Sequence, residues 1–321
     1  MQVNPVDLSK VKTYSVWNRP TKVDYSLLAK VPNINLPLYE FFDCLPHLLK
    51  AEELMLAAQR IAEARLRQRG VIFMMGGHVV KCGLSPLIIR MMEERIITCV
   101  ATNGAGSIHD FELACFGNTS EDVERGLETG MFGMVKETGE TMNRIIIDGI
   151  RVGCGIGESL GRGLRHIAPR YVNLSILANA HRLSVPVTVH VAIGTDTIHQ
   201  HPSCSGEALG AASMLDFRRF AAAVATLNDG GVIINCGSAV ILPEVFLKAL
   251  TVARNLGYPV KNFTAVNMDM IQHYRPMQNV VMRPTKTGGG TPISLTGHHE
   301  IMLPLLYAAI QARLRALVSV R

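Results

Sequence analysis

Short apolar runs alternate with longer amphipathic segments along most of this 321-residue chain. Apolar residues at helical spacing predict helices, and short runs rich in β-branched residues predict buried strands. The predicted helices cover residues 48–68, 84–95, 109–116, 171–181, 216–227, 243–256 and 301–317. The predicted strands cover residues 70–75, 96–101, 185–193, 231–235 and 263–267. Strands separated by helices predict an α/β fold whose mostly parallel sheet carries helices on both faces.

The first 45 residues lack this alternation and contain Pro5, Pro20, Pro32 and Pro37. We therefore expect an N-terminal arm over residues 1–45, followed by a single domain over residues 46–321. Hydrophobic residues make up 48% of the chain and charged residues only 18%, so the chain can bury a large core and further surface in an oligomer.

Charge and cysteine usage narrow the class of protein. The net charge of +6 is modest, and the densest basic cluster, residues 60–69, lies within a predicted helix, so we expect no nucleic-acid binding. Seven cysteines without a Cys-x-x-Cys pair favour reduced thiols in the cytoplasm. The N-terminus has no apolar signal core, and no apolar run reaches about 18 residues, so we expect neither secretion nor a membrane span.

The loop at residues 102–110 is the first candidate site, because ligands of parallel sheets bind outside the carboxyl ends of the strands. Gly104 and Gly106 have no side chain to keep the backbone away from a phosphate or a flat ring. The amides that open the following helix suit an anion. His109, Asp110 and Glu112 crowd the same segment, which favours a ligand site over a plain capped turn.

The strand before that loop ends in Gly76 and Gly77, with His78 and Lys81 as the polar side chains that follow. Two neighbouring parallel strands with glycine-rich ends would form one continuous ledge for a ligand. A tight turn with an exposed lysine is the alternative.

Two later strand ends also carry polar residues. One holds Asn235, Gly237 and Ser238, and the other ends near Asp269. A dinucleotide site commonly uses an acidic residue for a ribose hydroxyl, and either Asp269 or Asp196 suits that role.

Histidines cluster in residues 190–201, which include His199 and His201, and again at His298 and His299. First-row metals usually take histidine together with a carboxylate or cysteine at tight spacing, and that spacing is absent here. We therefore favour a catalytic or substrate-binding role for these histidines and keep a metal-dependent hydrolase as an alternative.

Two glycine-rich segments invite a nucleotide-binding interpretation. Residues 153–161 follow a segment, residues 142–150, that predicts a helix, whereas a Rossmann fingerprint requires a strand there. In residues 286–291 the lysine precedes the glycines, so the Walker spacing is absent. We expect a loop that delivers Lys286 to a site, with an ordinary surface loop as the alternative.

Residues 76–83, 103–112 and 116–122 resemble the deoxyhypusine synthase-like superfamily, and residues 230–238 look like the glycine-rich strand end in its C-terminal half. The resemblance covers roughly residues 45–290. It implies a Rossmann-like fold, bound NAD, and a homotetramer with sites near subunit interfaces. By position it implies NAD-lining roles for Gly76, Gly77, Asn103, Gly104, Ala105, Gly106, Gly237 and Ser238.

The resemblance also places Lys286 near the lysine with which that family forms an imine. The acidic, tryptophan-containing stretch that precedes this lysine in the family is missing, since the only tryptophan here is Trp17. A polyamine dication needs carboxylates around it, and few are present here. This argues against deoxyhypusine synthesis itself. The stretch from His109 to Glu112 also looks like the NAD-dependent ornithine cyclodeaminase branch of the same fold.

We therefore predict an NAD-dependent enzyme of polyamine or amino-acid metabolism that oxidises an amine-bearing small molecule by hydride transfer. Either His109 or His199 would act as the base, Asp196 would orient the substrate, and Lys286 is the candidate imine former. The predicted substrate contacts are His78, Lys81, Asp110, Glu112 and His201. The alternatives are an ornithine cyclodeaminase-like lyase, a nucleotide-binding protein without hydride chemistry, and a hydrolase with a metal on His199, His201, His298 and His299.

Overall fold

Six parallel strands form one sheet in the computed structural model, which describes residues 3–319. The strands are β1 (Val71–Met75), β2 (Cys99–Asn103), β3 (Val187–His190), β4 (Val232–Cys236), β5 (Thr264–Asp269) and β6 (Thr291–Thr296). Their order across the sheet is β3-β2-β1-β4-β5-β6. The predicted α/β class is therefore confirmed, and the sheet is Rossmann-like.

Helices fill the connections between these strands. They are α1 (Leu38–Phe41), α2 (Leu49–Leu66), α3 (Gly77–Lys81), α4 (Ser85–Glu93), α5 (Gly104–Phe116), α6 (Val123–Thr129), α7 (Lys136–Arg151), α8 (Ile156–Ile167), α9 (Ile176–Arg182), α10 (Gly206–Ala225), α11 (Ile241–Asn255), α12 (Tyr274–Pro276), α13 (Arg283–Lys286) and α14 (His299–Ser319). A π-helical segment, Met277–Met282, joins α12 to α13.

Two apolar cores lie on the two faces of the sheet, because successive side chains of a strand point to opposite faces. Phe73 of β1 points into the core made with α2, α4, α5, α8, α9 and α14. Ile72 and Met74 point into the core made with α10, α11 and the π-helical segment. Every residue of β1 and β4 is buried, as expected for central strands covered on both faces.

The strand order reverses at β1, which pairs with β2 on one side and with β4 on the other. The connections on the two sides of this point leave the sheet toward opposite faces, which opens a crevice outside the carboxyl ends of β1 and β4. The register pairs Met75 with Cys236, so the two strands end level with each other. This switch point is where the fold places a ligand.

Several predicted boundaries are corrected. β2 begins at Cys99 rather than residue 96, because Arg95 turns the chain through a left-handed conformation with φ of 56°. α5 begins at Gly104 rather than residue 109, because the Asn103 side chain caps it by accepting a hydrogen bond from the Gly106 amide (2.9 Å). β6 was not predicted at all. It contains Pro292, which an edge strand tolerates.

The glycine run at residues 153–161 spans the turn after α7 and the first turns of α8 and does not follow a strand, so the prediction that it is not a Rossmann fingerprint is confirmed. Gly157 instead allows close packing, since a Cβ there would lie 2.3 Å from the Val187 carbonyl oxygen.

The segment before α1 is exposed almost throughout, with three short 3-10 turns and large apolar side chains such as Trp17 (91% exposed) and Ile34 (97% exposed). The homotetramer implied by the resemblance stays a prediction.

By length and composition alone, α14 is apolar enough to cross a membrane. In this structure α14 packs against α2, with Leu303, Leu306 and Ile310 in the core.

Candidate functional site

The carboxyl edge of the sheet collects most of the residues predicted from the sequence. β1 leads into Gly76, Gly77 and His78, β2 into Gly104, and β4 into Gly237. β5 ends at Asp269, α14 starts at His299 just after β6, and the segment after β3 carries Asp196 and His199. The fold thus brings together residues that are as far apart in sequence as Gly76 and His299.

The glycines of this edge mainly allow protein segments to approach one another. A Cβ on Gly76 would lie 2.2 Å from the Gly237 carbonyl oxygen, across the switch point. A Cβ on Gly106 would lie 2.0 Å from the Thr102 hydroxyl, and one on Gly77 would lie 3.1 Å from the His109 ring. Gly237 has φ of 68°, which a residue with a side chain adopts only with strain. The predicted open ledge is therefore a tightly packed set of turns.

Free backbone amides line both sides of the switch point. Within residues 3–319, the amides of Gly77 and His78 on one side have no acceptor, nor do those of Ser238, Ala239 and Val240 on the other. α11 begins beside them; its N-cap residue Val240 provides no side-chain acceptor, and the Ser238 hydroxyl accepts a hydrogen bond from the Leu242 amide (3.2 Å). Converging amides at the start of a helix suit a phosphate, so these residues fit the pyrophosphate of a dinucleotide.

His109 lies on α5 and faces Gly77 of the neighbouring strand end. Its Nδ1 atom is 2.8 Å from the Thr119 hydroxyl, which donates a hydrogen bond of 2.5 Å to Glu112. Burial, with a smaller contribution from the Lys81 charge, lowers the pKa of His109 to about 4. The imidazole is therefore neutral at pH 7, and one of its two ring nitrogens carries a lone pair.

Asp196 and His199 form a second group, seated on the start of α5. A Cβ on Gly104 would lie 1.9 Å from Asp196 Oδ2, so the carboxylate occupies the end of the helix where an anion would bind. Burial raises the pKa of Asp196 to about 6, opposed by a hydrogen bond from the Ala105 amide. His199 Nδ1 accepts hydrogen bonds from the Gly194 and Asp196 amides (3.1 and 3.2 Å). The Asp196 carboxylate, from the loop after β3, thus takes the position at the start of α5 where a bound anion would otherwise lie.

Asp110 and His201 were predicted to contact substrate, and the structure corrects both predictions. Asp110 is fully buried and accepts hydrogen bonds from the Ser175 hydroxyl and from the Ile176 and Leu177 amides, so it holds the start of α9. Burial nevertheless raises the pKa of Asp110 to about 6. His201 is buried with Nε2 2.8 Å from the Gly133 carbonyl oxygen.

Asn235 and Cys236 at the end of β4 are also turned inward. Asn235 donates hydrogen bonds to the Ser238 carbonyl oxygen and to Asn267, which fixes the turn after the strand. Cys236 is fully buried, 3.5 Å from His299 Nδ1, and burial strongly raises the pKa of its thiol. A thiol held in the protonated form makes a poor nucleophile.

The metal alternative is also corrected. His199 and His201 follow β3, whereas His298 and His299 follow β6, and these are the two opposite edge strands of the sheet. Among residues 3–319, no three His, Cys, Asp or Glu side chains are grouped closely enough to hold a metal ion.

Lys286 lies at the amino ends of the strands, whereas all of these residues lie at the carboxyl ends. It ends α13, five residues before the start of β6, so it is at the amino ends of the strands. Gly288 beside it accepts a hydrogen bond from the Asn262 amide, two residues before β5 (2.8 Å). Within one chain Lys286 therefore lies apart from the residues at the carboxyl ends, and its delivery to a site stays a prediction.

Sequence reasoning missed Thr119, the amides of Ala239 and Val240, and the burial of His299 beside Asp269 (3.9 Å). Thr119 follows the αL residue Gly117 that ends α5, so the chain returns past the helix. A polar residue soon after such a terminal glycine was the available sequence indication.

No protein-family model and no curated protein matches the sequence. Among solved structures, the fold is similar to a conserved LOR/SDH protein from Methanococcus maripaludis S2, at 17% identity and a TM-score of 0.53, covering 84% of this chain and 71% of that one. It is also similar to AgrE, solved with ornithine and NAD+, at 15% identity and a TM-score of 0.50. That match covers 84% of this chain but 34% of AgrE, so the chain spans about a third of AgrE's length. At these identities the similarities establish the fold.

Proposed function

We propose that the chain is an NAD-dependent enzyme that oxidises an amine-bearing small molecule. The observation that carries this proposal is the neutral His109 beside a crevice lined on both sides by free amides. The similarity of the fold to AgrE, which was solved with ornithine and NAD+, supports the same choice of cofactor and substrate class.

The residues of the crevice divide the work. The amides of Gly77, His78 and residues 238–240 would hold the pyrophosphate, and Asp269 at the end of β5 would accept a ribose hydroxyl. When bound, NAD+ supplies a hydride acceptor for the carbon that bears the amine. His109 accepts the proton that the amine nitrogen gives up.

An amine is a better hydride donor once it has lost its proton, so a neutral base near the reacting carbon is what this chemistry needs. His109 meets that need because burial keeps it unprotonated at pH 7. The second predicted base, His199, is less suitable. Its Nε2 atom is buried, 3.6 Å from Asp196, and faces no open space.

The test measures NAD+ binding by calorimetry, and then NADH formation and ammonium release with L-ornithine and with spermidine. We expect His109→Gln to lower turnover about 100-fold with NAD+ affinity nearly unchanged, since general bases contribute at least that much. The measurement of ammonium separates a redox-neutral lyase from a net oxidation. A protein that does not bind NAD+, or a His109→Gln variant with full turnover, would contradict the proposal.

A further inference from the structure

We infer that Thr119 and Glu112 are positioning residues that fix which nitrogen of His109 carries the proton, an inference that rests on the proposed role of His109 as base. Three side chains form the relay: the Glu112 carboxylate, the Thr119 hydroxyl and the His109 imidazole. The distances along it are 2.5 Å from Thr119 Oγ1 to Glu112 Oε2 and 2.8 Å from Thr119 Oγ1 to His109 Nδ1.

The direction of each hydrogen bond follows from the chemistry of the groups. An ionised carboxylate only accepts, so the Thr119 hydroxyl donates its single proton to Glu112. The hydroxyl oxygen then has only lone pairs to offer, so His109 Nδ1 must carry the hydrogen and donate it. In the neutral ring this leaves Nε2 with a lone pair.

The other carboxylate oxygen is held as well. Thr138, a buried residue in the first turn of α7, donates a hydrogen bond to Glu112 Oε1 (3.2 Å). Both oxygens of Glu112 are therefore oriented by threonine hydroxyls from two different segments, the loop after α5 and the start of α7. This arrangement resembles the carboxylate that orients the histidine of a hydrolytic triad, with a threonine inserted between them.

The relay has a defined place in the proton transfer. The N–H bond of the substrate amine breaks, and a new N–H bond forms at His109 Nε2. His109 Nδ1 keeps its hydrogen and continues to donate a hydrogen bond to Thr119 Oγ1. Glu112 therefore stabilises, through the Thr119 hydroxyl, the positive charge that develops on the ring. Neither Thr119 nor Glu112 has to contact the substrate for this effect.

The experiment compares Thr119→Val, which keeps the shape but removes the hydroxyl, with Thr119→Ser, which restores it. Loss of one hydrogen bond worth about 1 kcal/mol shifts a tautomer ratio roughly fivefold, so kcat/KM with the amine should fall about fivefold in Thr119→Val and recover in Thr119→Ser. Thr251→Val is the matched control, because the Thr251 hydroxyl lies on the exposed face of α11 and bonds only to the Leu247 carbonyl of the same helix.

The second measurement does not depend on turnover. NMR of protein labelled with 15N-histidine distinguishes a protonated ring nitrogen from a bare one, and His109→Gln identifies the signal among the 11 histidines. We expect Nδ1 protonated in wild type and Thr119→Ser, and the other tautomer populated in Thr119→Val. A wild-type ring protonated at Nε2, or a Thr119→Val ring unchanged from wild type, overturns the relay. The expected tautomers without any NAD+ binding would support the relay and overturn the proposed function.

Discussion

The buried carboxylate of Asp216 gives the sharpest quantitative test of the structure. It lies on α10 and is fully buried. Its Oδ2 atom accepts hydrogen bonds from the Gly157 amide at the start of α8 (3.0 Å) and from the Val189 amide in β3 (2.9 Å). Its Oδ1 atom is buried without a partner among the described residues. Burial raises the pKa of Asp216 to about 7, from an ordinary value of 3.8.

The folded state therefore binds a proton at Asp216 between pH 3.8 and about pH 7, where the unfolded chain does not. The stability that this group contributes is fully present below pH 3.8 and is lost as the pH rises toward 7. Each unit of pKa difference corresponds to about 1.4 kcal/mol, so wild type loses about 3 kcal/mol between pH 5 and pH 8 from this group alone.

Asp216→Asn cannot titrate and therefore does not lose this contribution. Its amide oxygen can keep both backbone hydrogen bonds, since both reach the same Oδ2 atom. The free energy of unfolding of the variant relative to wild type should thus rise by about 3 kcal/mol from pH 5 to pH 8, whatever its value at pH 5.

The assay is urea unfolding followed by circular dichroism, because the only tryptophan, Trp17, is on the exposed N-terminal segment and reports little on the core. Asp148→Asn, at an exposed carboxylate of α7, controls for the change in charge and should stay within about 0.5 kcal/mol of wild type at both pH values. A difference between Asp216→Asn and wild type that is the same at pH 5 and pH 8 would refute the reasoning.

Two further substitutions test the placement of residues around the site. Lys286→Ala should leave amine turnover unchanged, because Lys286 lies at the amino ends of the strands; loss of turnover in kinetic assays would show that the site is elsewhere. Gly104→Ala should displace Asp196 and destabilise the fold by about 1–3 kcal/mol, with faster hydrogen exchange in residues 191–200. Its control, Gly210→Ala on open helix surface, should be neutral or slightly stabilising. Unchanged exchange in Gly104→Ala would contradict the packing described at α5.

The pattern of apolar residues predicted the fold class, because central strands buried on both faces are continuous apolar runs in the sequence. The all-apolar run of β1 and the helical spacing of α2 both reflect burial that the residues themselves encode. β6 escaped prediction because only alternate residues, Ile293 and Leu295, are buried there and a proline interrupts the run. Strand preference reflects the packing and burial around each side chain, and these differ between edge and central strands.

The candidate site was predictable in its location but not in the roles of its residues. Strand ends rich in glycine, histidine and aspartate marked the correct edge of the sheet. The sequence could not show that Asp110 faces α9 while His109, its neighbour, faces Gly77. Adjacent residues on a helix point about 100° apart, so one residue of difference separates a buried cap from a reactive side chain. The position of Lys286 at the amino ends of the strands was not predictable, because it depends on β6, the following strand, which was not predicted.

The contact between Gly76 and Gly237 has a consequence for how this protein would respond to any ligand of the crevice. The two glycines join the two halves of the sheet, and the free amides beside them belong to different halves. A single anion bound there acts as a cross-link between segments that are about 160 residues apart in the chain. At a concentration 100 times its dissociation constant, the anion would raise the free energy of unfolding by about 2.7 kcal/mol, and both halves of the sheet would be stabilised together. A ligand of the crevice should therefore raise the melting temperature of the whole protein. NAD+ and libraries of small molecules can be screened for binding by this shift, without an assay of catalysis.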